Sequence, residues 1–290
     1  MKPMPALIAM AAVALAACGQ FGGNAVVPTP ISPPTGALTA WASFPADQKP
    51  RPIVWLRNPS PANGYASGEA KLSAYCNKYA LGFVLPTTIP DRAIANWPDG
   101  TSATYRGISA PAAFARLIAD TTQYQDPQCS SYGSLVISGA RLGTFDFVTD
   151  RGRALMTAWL FSATGVNGDL AYPAMLPTAF WTGGMLAQYA NGTTVISADG
   201  RSLTYTFYGA PSGPGPCGAD YKGVIAESQT AVAIALQEVS HANSGQMVAC
   251  PAVAEQRSVV VALALPLGGR VVVDLSSQAT SVCPETKPDC

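Results

Sequence analysis

Leu15-Ala16-Ala17-Cys18 is the feature that most narrows what this chain can become, because it joins an apolar leader to a cysteine where a lipidation signal needs one. Lys2 supplies a short positive start, Pro5 to Ala17 is an unbroken apolar run, and small residues lead directly into Cys18. A membrane-spanning helix needs about 20 apolar residues, whereas this run is shorter and is followed by Gly19, Gln20, Gly22, Gly23 and Asn24. The expectation is a signal peptide over residues 1–17, lipid attachment such as palmitate at Cys18, and a body held at the extracytoplasmic face of the cell membrane. Each buried CH₂ of an acyl chain contributes about 0.8 kcal/mol, and stable anchoring takes two such signals.

Export carries a consequence for the remaining thiols. With Cys18 assigned to the anchor, Cys76, Cys129, Cys217, Cys250, Cys283 and Cys290 are left, and an even set in an exported chain reads as disulfides. Pairing nearest neighbours in sequence ties Cys76 to Cys129, Cys217 to Cys250 and Cys283 to Cys290. A metal site is disfavoured, since no Cys-x-x-Cys occurs and the single histidine is not spaced as a ligand beside any cysteine pair. No cofactor is expected.

Lys and Arg number 17 and Asp and Glu number 17, so the formal charge is zero, and loss of Lys2 with the leader makes it slightly negative. That balance gives no electrostatic case for a nucleic-acid partner. Hydrophobic residues make up 48% of the chain and charged ones 12%, which is enough apolar material for a folded core.

Residues 18–38 are rich in Gly, Pro, Thr and Ala, with Pro28, Pro30, Pro33 and Pro34 closely spaced, and read as a semi-extended tether. Beyond it, Arg51-Pro52-Ile53-Val54-Trp55-Leu56 is a short apolar strand. Two helices are expected, at Gly68 to Ala80 and at Pro111 to Thr121, the latter with Phe114, Leu117 and Ile118 at i, i+3 and i+4. From Ser134 the patterning turns to strand. Leu135-Val136-Ile137 is apolar, Thr144 to Val148 alternates, and Asp150-Arg151-Gly152 is a turn leading into a return strand from Leu155 to Phe161. Asn191-Gly192 and Asp199-Gly200 signal further turns, and Leu203, Tyr205 and Phe207 share one face of the next strand. Val224 to Ala226, Ala231 to Leu236, Val259 to Leu265 and Val271 to Val273 continue the series. The fold expected is mainly β within the α+β class, a sandwich or barrel-like body with two short N-terminal helices. Residues 39–193 read as an α+β region and residues 194–290 as a β-rich, disulfide-containing region.

The leader resembles the lipobox of secreted bacterial lipoproteins. Trp41-x-x-Phe44-Pro45 with Arg51-Pro52, Thr149-Asp150-Arg151-Gly152 followed by Ala158-Trp159-Leu160-Phe161, and Pro266 to Asp274 together resemble an actinobacterial family of exported lipoproteins of unassigned function. The resemblance spans most of the mature chain and implies an exported source. It carries over no catalytic residue.

Catalytic constellations are sparse. His241 is the only histidine and reads as an exposed loop residue. No Gly-x-Ser-x-Gly or Ser-x-x-Lys accompanies it. Asp146 and Asp150 lie four residues apart, roughly 13 Å along a strand at about 3.3 Å per residue, wider than a glycosidase carboxyl pair. Asp150 reads most simply as a turn former. Pro211 to Gly218 has too many prolines to cradle phosphate through its N–H groups and is a loop pinned by Cys217. The tryptophans read as core in preference to a ligand groove. The expected function is therefore a non-catalytic binding or interaction module of the envelope, with an envelope protein or small molecule as partner. The alternatives are a hydrolase using Asp or Glu from separate strands and a structural spacer.

Overall fold

The computed structural model describes residues 31–56, 61, 63–120, 127–182, 192–241 and 249–290, so the leader and Cys18 lie outside the described residues. The chain enters through a single helical turn, α1 (Thr35–Leu38), continued by a 3₁₀ turn over Thr39–Trp41. Ala37 and Trp41 are buried, and the Trp41 indole N–H donates to the Ser277 carbonyl at 2.9 Å. The packed body thus begins inside the stretch expected to be tether.

Ser67 opens the next helix, α2 (Gly68–Tyr75), its hydroxyl accepting the Ala70 N–H at 3.1 Å. The helix ends before the expected Ala80. Asn77 takes the left-handed φ of 53° that terminates helices, and β1 (Tyr79–Leu81) leaves extended. A hairpin of β2 (Ala93–Asn96) and β3 (Ser102–Tyr105) follows. Then comes α3 (Ala110–Asp120), which buries Phe114 and Leu117 as its apolar spacing requires.

The longest elements are β4 (Leu135–Thr149) and β5 (Gly152–Ala163), an antiparallel hairpin that absorbs both of the expected apolar runs into one strand pair. Gly152 closes the turn at φ 84°, and a Cβ there would meet the Cys290 sulfur at 2.2 Å, so both backbone and space demand glycine. With β6 (Asp169–Pro173) the first sheet has six strands, ordered β1-β4-β5-β2-β3, with β6 sharing the β5 edge with β2. One face is covered and the other is covered in part, with Leu142, Asp146 and Leu155 left exposed on it. Ala93, Ala95, Phe147, Ala154 and Met156 pack on one side, and Ile137, Trp159 and Phe161 pack against α3 on the other. Phe161 is fully buried, which for a side chain of that size stabilises by roughly 1.5–3 kcal/mol.

The remaining strands are β7 (Gly192–Ile196), β8 (Ser202–Gly209), β9 (Ala219–Glu227), β10 (Ala231–Ser240), β11 (Glu255–Ala262), β12 (Val271–Val273) and β13 (Val282–Pro284). They form a four-stranded sheet, β11-β8-β7-β13, and a three-stranded sheet, β12-β10-β9. Leu203, Tyr205 and Phe207 from β8 interleave with Val232, Ile234 and Val272 from the facing sheet. The architecture is a sandwich joined to a larger mixed sheet, and no sheet closes into a barrel.

The first half of β10 is buried at every residue because its other face is covered too. Trp41, Phe44, Val54 and Leu56 from the beginning of the chain pack there against Ala231, Ala233, Val271 and Val273. Residues 39–193 and 194–290 therefore share a core, and the N-terminal strand region is part of the sandwich that follows it.

All six remaining cysteines pair as their nearest-neighbour spacing suggested: Cys76 with Cys129, Cys217 with Cys250, and Cys283 with Cys290, with Cα separations of 5.4, 5.4 and 5.6 Å.

Candidate functional site

The turn Thr149-Asp150-Arg151-Gly152 sits where the two halves meet, and its two charged side chains diverge. The Thr149 hydroxyl donates to the Gly152 carbonyl at 2.8 Å and accepts the Arg151 N–H at 3.2 Å, which fixes the turn. Backbone bonds tie it to both neighbours: the Asp150 N–H donates to Val54 O at 3.1 Å, and the Val282 N–H donates to Asp150 O at 3.0 Å.

Asp150 points inward. One carboxylate oxygen pairs with the Arg51 guanidinium and the other accepts the Val54 N–H at 3.3 Å. The side chains of Arg51 and Asp150 are 7% and 1% exposed, so the pair is sealed from solvent. Arg51 also donates its Nε–H to Gly269 O at 2.7 Å and lies over the Phe44 ring, 4.6 Å from its centroid. Three segments distant in sequence meet on this one cation. Asp150 is a turn residue, as its position suggested, and also the buried counter-ion of a residue 99 positions away.

Arg151 points the other way. Its guanidinium carbon lies 3.5 Å from the Trp97 ring centroid, the distance of a stacked cation–π contact. The Tyr105 hydroxyl, which donates to Arg51 O at 3.0 Å, lies near enough to Arg151 for the two groups to influence each other's charge. Burial pulls the Arg151 pKa below the usual guanidinium range, with Asp150 acting in the opposite direction. Burial likewise pushes the Tyr105 hydroxyl up, opposed by Arg151.

Arg151 lines a cleft of about 380 Å³ that also takes in Asp99, Ser197, Gly268, Arg270 and Glu285. The volume falls in the small-molecule range, and the position between two packed units is where such sites form. Arg270 is committed to structure. It pairs with Glu227 at 2.7 Å and donates to the carbonyls of Leu267, Leu265 and Pro266, which braces the loop forming one wall. The hydrogen bonds from the Ala264 N–H and from Arg270 hold the Glu227 pKa below the ordinary carboxylate value, although burial opposes them. Asp99 and Glu285 stand exposed at the rim. Asp99 accepts from the Thr101 N–H at 2.8 Å and from its hydroxyl at 2.6 Å. Glu285 accepts the Ala198 N–H at 3.4 Å.

The other residues singled out in the sequence do not assemble into a catalytic centre. Asp146 is exposed and lines a separate open groove with Arg153 and Lys287, while Asp150 is sealed against Arg51. His241 is not a free loop residue. It directly follows β10, its side chain is 23% exposed, and both ring nitrogens are engaged: Nδ1 with Gly213 O at 2.6 Å and Nε2 with Asp220 at 2.9 Å. Those two acceptors raise its pKa, Gly213 foremost, because the imidazolium alone can donate from both nitrogens. With both nitrogens so occupied, none faces a serine nucleophile. Trp41, Trp97 and Trp159 are buried, and the Trp159 N–H donates to Ile108 O at 2.8 Å. Among the described residues no three His, Cys, Asp or Glu side chains group as metal ligands would, and no helix is long and apolar enough to cross a membrane.

Sequence reasoning missed Arg51, Tyr105 and Arg151. In a chain with so few charges, an arginine set in Arg51-Pro52-Ile53-Val54 is itself a signal of a buried ion pair, although its partner is not readable from spacing. Comparison with protein-family models, with curated proteins and with solved structures gives no match. The residues themselves carry the functional argument.

Proposed function

We propose that this protein is an extracytoplasmic lipoprotein, anchored to the cell membrane through Cys18, that acts as a non-catalytic binding module with its ligand cleft beside the Asp150–Arg151 turn. One observation carries the reading. Of seven cysteines, six are consumed in three disulfides, and the seventh is the one that ends Leu15-Ala16-Ala17-Cys18. Disulfides suit an oxidising compartment, and an odd cysteine placed behind an apolar leader suits acylation.

The binding half of the reading draws on the cleft and on the absence of a paired nucleophile and base in the described residues around it. The carboxylates nearest the turn are neutralised by arginine or stand apart at the rim, and the one histidine is held by Gly213 and Asp220. Such a lining suits recognition by hydrogen bonds and charge, with no group poised for proton transfer. The anchor is tested by Cys18→Ala in a bacterial host that processes lipoproteins: the variant loses metabolic fatty-acid label and leaves the membrane fraction. Retention of label in Cys18→Ala would reject the anchor.

A further inference from the structure

We propose that the cleft beside the Asp150–Arg151 turn captures its ligand through an oxyanion group, a carboxylate or a phosphate, seated on the Arg151 guanidinium. The proposal rests on the binding-module reading but is independent of the lipid anchor.

The described residues form four ion pairs, and Arg151 belongs to none of them. Its two cationic neighbours differ in this respect, since Arg51 is matched by Asp150 and Arg270 by Glu227. Arg151 is nonetheless taken substantially out of water, and burial is what lowers its affinity for the proton. A desolvated cation favoured only at a distance, by Asp150 and Asp99, and without a direct ion pair is costly, and an arriving oxyanion reduces that cost while gaining charge-assisted hydrogen bonds.

The guanidinium is also held ready. Trp97 fixes its plane from below. The Tyr105 hydroxyl, oriented by its own bond to Arg51 O at 3.0 Å, sits beside the guanidinium and interacts with its charge. Its Nε is buried without a partner, so the terminal nitrogens are those the cleft can use. A planar fork immobilised in this way matches the two oxygens of a carboxylate or phosphate, and a lysine could not reproduce it.

The rim sets a limit on the ligand. Asp99 and Glu285 place two carboxylates around one available cation, which repels polyanions and offers acceptors to hydroxyl or ammonium groups. The chemistry selected is a small polar molecule with a single oxyanion and several donors.

The test uses the full chain purified in detergent, with glucuronate and inorganic phosphate as probes and glucose as neutral control. Thermal melting and the ¹⁵N-detected arginine Nε–H resonance of Arg151 are followed to about 10 mM probe, well past a millimolar dissociation constant. The proposal expects a saturable shift with at least one anion and none with glucose, and the stronger anion assigns carboxylate or phosphate. Arg151→Lys weakens that binding by about tenfold, because the fork is lost while the charge stays. Glu285→Gln tightens it about twofold to fivefold by removing rim repulsion. No response of the unsubstituted protein to either anion overturns the proposal whatever the variants do. So does an equal response to glucose, or anion binding undiminished in Arg151→Lys, which would mark an adventitious ion only. Because these readouts need no membrane localisation, failure here leaves the anchor standing, and failure of the anchor leaves the cleft standing.

Discussion

Replacing Asp150 by asparagine should destabilise the fold more than any exposed charge change. The side chain keeps its shape and retains an oxygen for the Val54 N–H, so the substitution isolates the charge facing Arg51. Both side chains are almost completely buried, so solvent screening gives little relief. Breaking a buried pair from one side costs about 3–5 kcal/mol, since the remaining ion is left uncompensated. For a body of this size each kcal/mol lowers Tm by about 2–4 °C, which places the loss at roughly 6–20 °C. Urea unfolding followed by tryptophan fluorescence, with the disulfides intact, measures it. The Arg51→Met and Asp150→Asn double variant closes the cycle. Removing both charges should cost about 2 kcal/mol or more less than the sum of the single changes. An Asp150→Asn cost under about 1 kcal/mol, the level of an exposed pair, with additive singles, would refute the claim that Arg51 and Asp150 form a buried, unscreened ion pair.

Two further outcomes follow from the geometry. The disulfides close loops of very different length, with sequence separations of 53, 33 and 7 residues. In the chain-entropy account, removing them singly as Cys-to-Ser pairs should cost about 4, 4 and 2.5 kcal/mol at most, in that order, and the greatest loss from the Cys283–Cys290 bond would contradict this. His241 should titrate above its ordinary value of 6.5. Since the raised value belongs to the folded state, its stabilisation is fully present below the unfolded pKa and fades as pH rises through the folded one. As the chain has a single histidine, one imidazole proton resonance reports it, and a midpoint at or below 6.5 refutes the two-acceptor arrangement.

What the sequence makes legible is what depends on near neighbours. The spacing of Phe114, Leu117 and Ile118 places α3 to within a residue or two, and the alternation of Leu203, Tyr205 and Phe207 identifies the inner face of β8. Asp150-Arg151-Gly152 marks the hairpin turn because only a glycine suits the final position. Disulfide pairing follows chain proximity. What stays hidden is set at long range. The approach of Arg51 to Asp150 and of Trp41 to Ser277 needs the completed fold. Even locally, α2 is cut short by the left-handed Asn77 and the strand pairing of Tyr79 to Leu81 with Leu135 to Ile137, which outweigh a weak helical pattern. The cleft belongs to the second class, since its walls come from five segments and its cation was marked in sequence only as part of a turn.

The most direct test of the membrane-anchored account is mass spectrometry of the N-terminal peptide of the protein isolated from the membrane fraction of a lipoprotein-processing host. The account predicts a mature chain that begins at Cys18 and carries covalent acyl chains on that residue. An unmodified Cys18, or a mature chain that begins anywhere else, would contradict it.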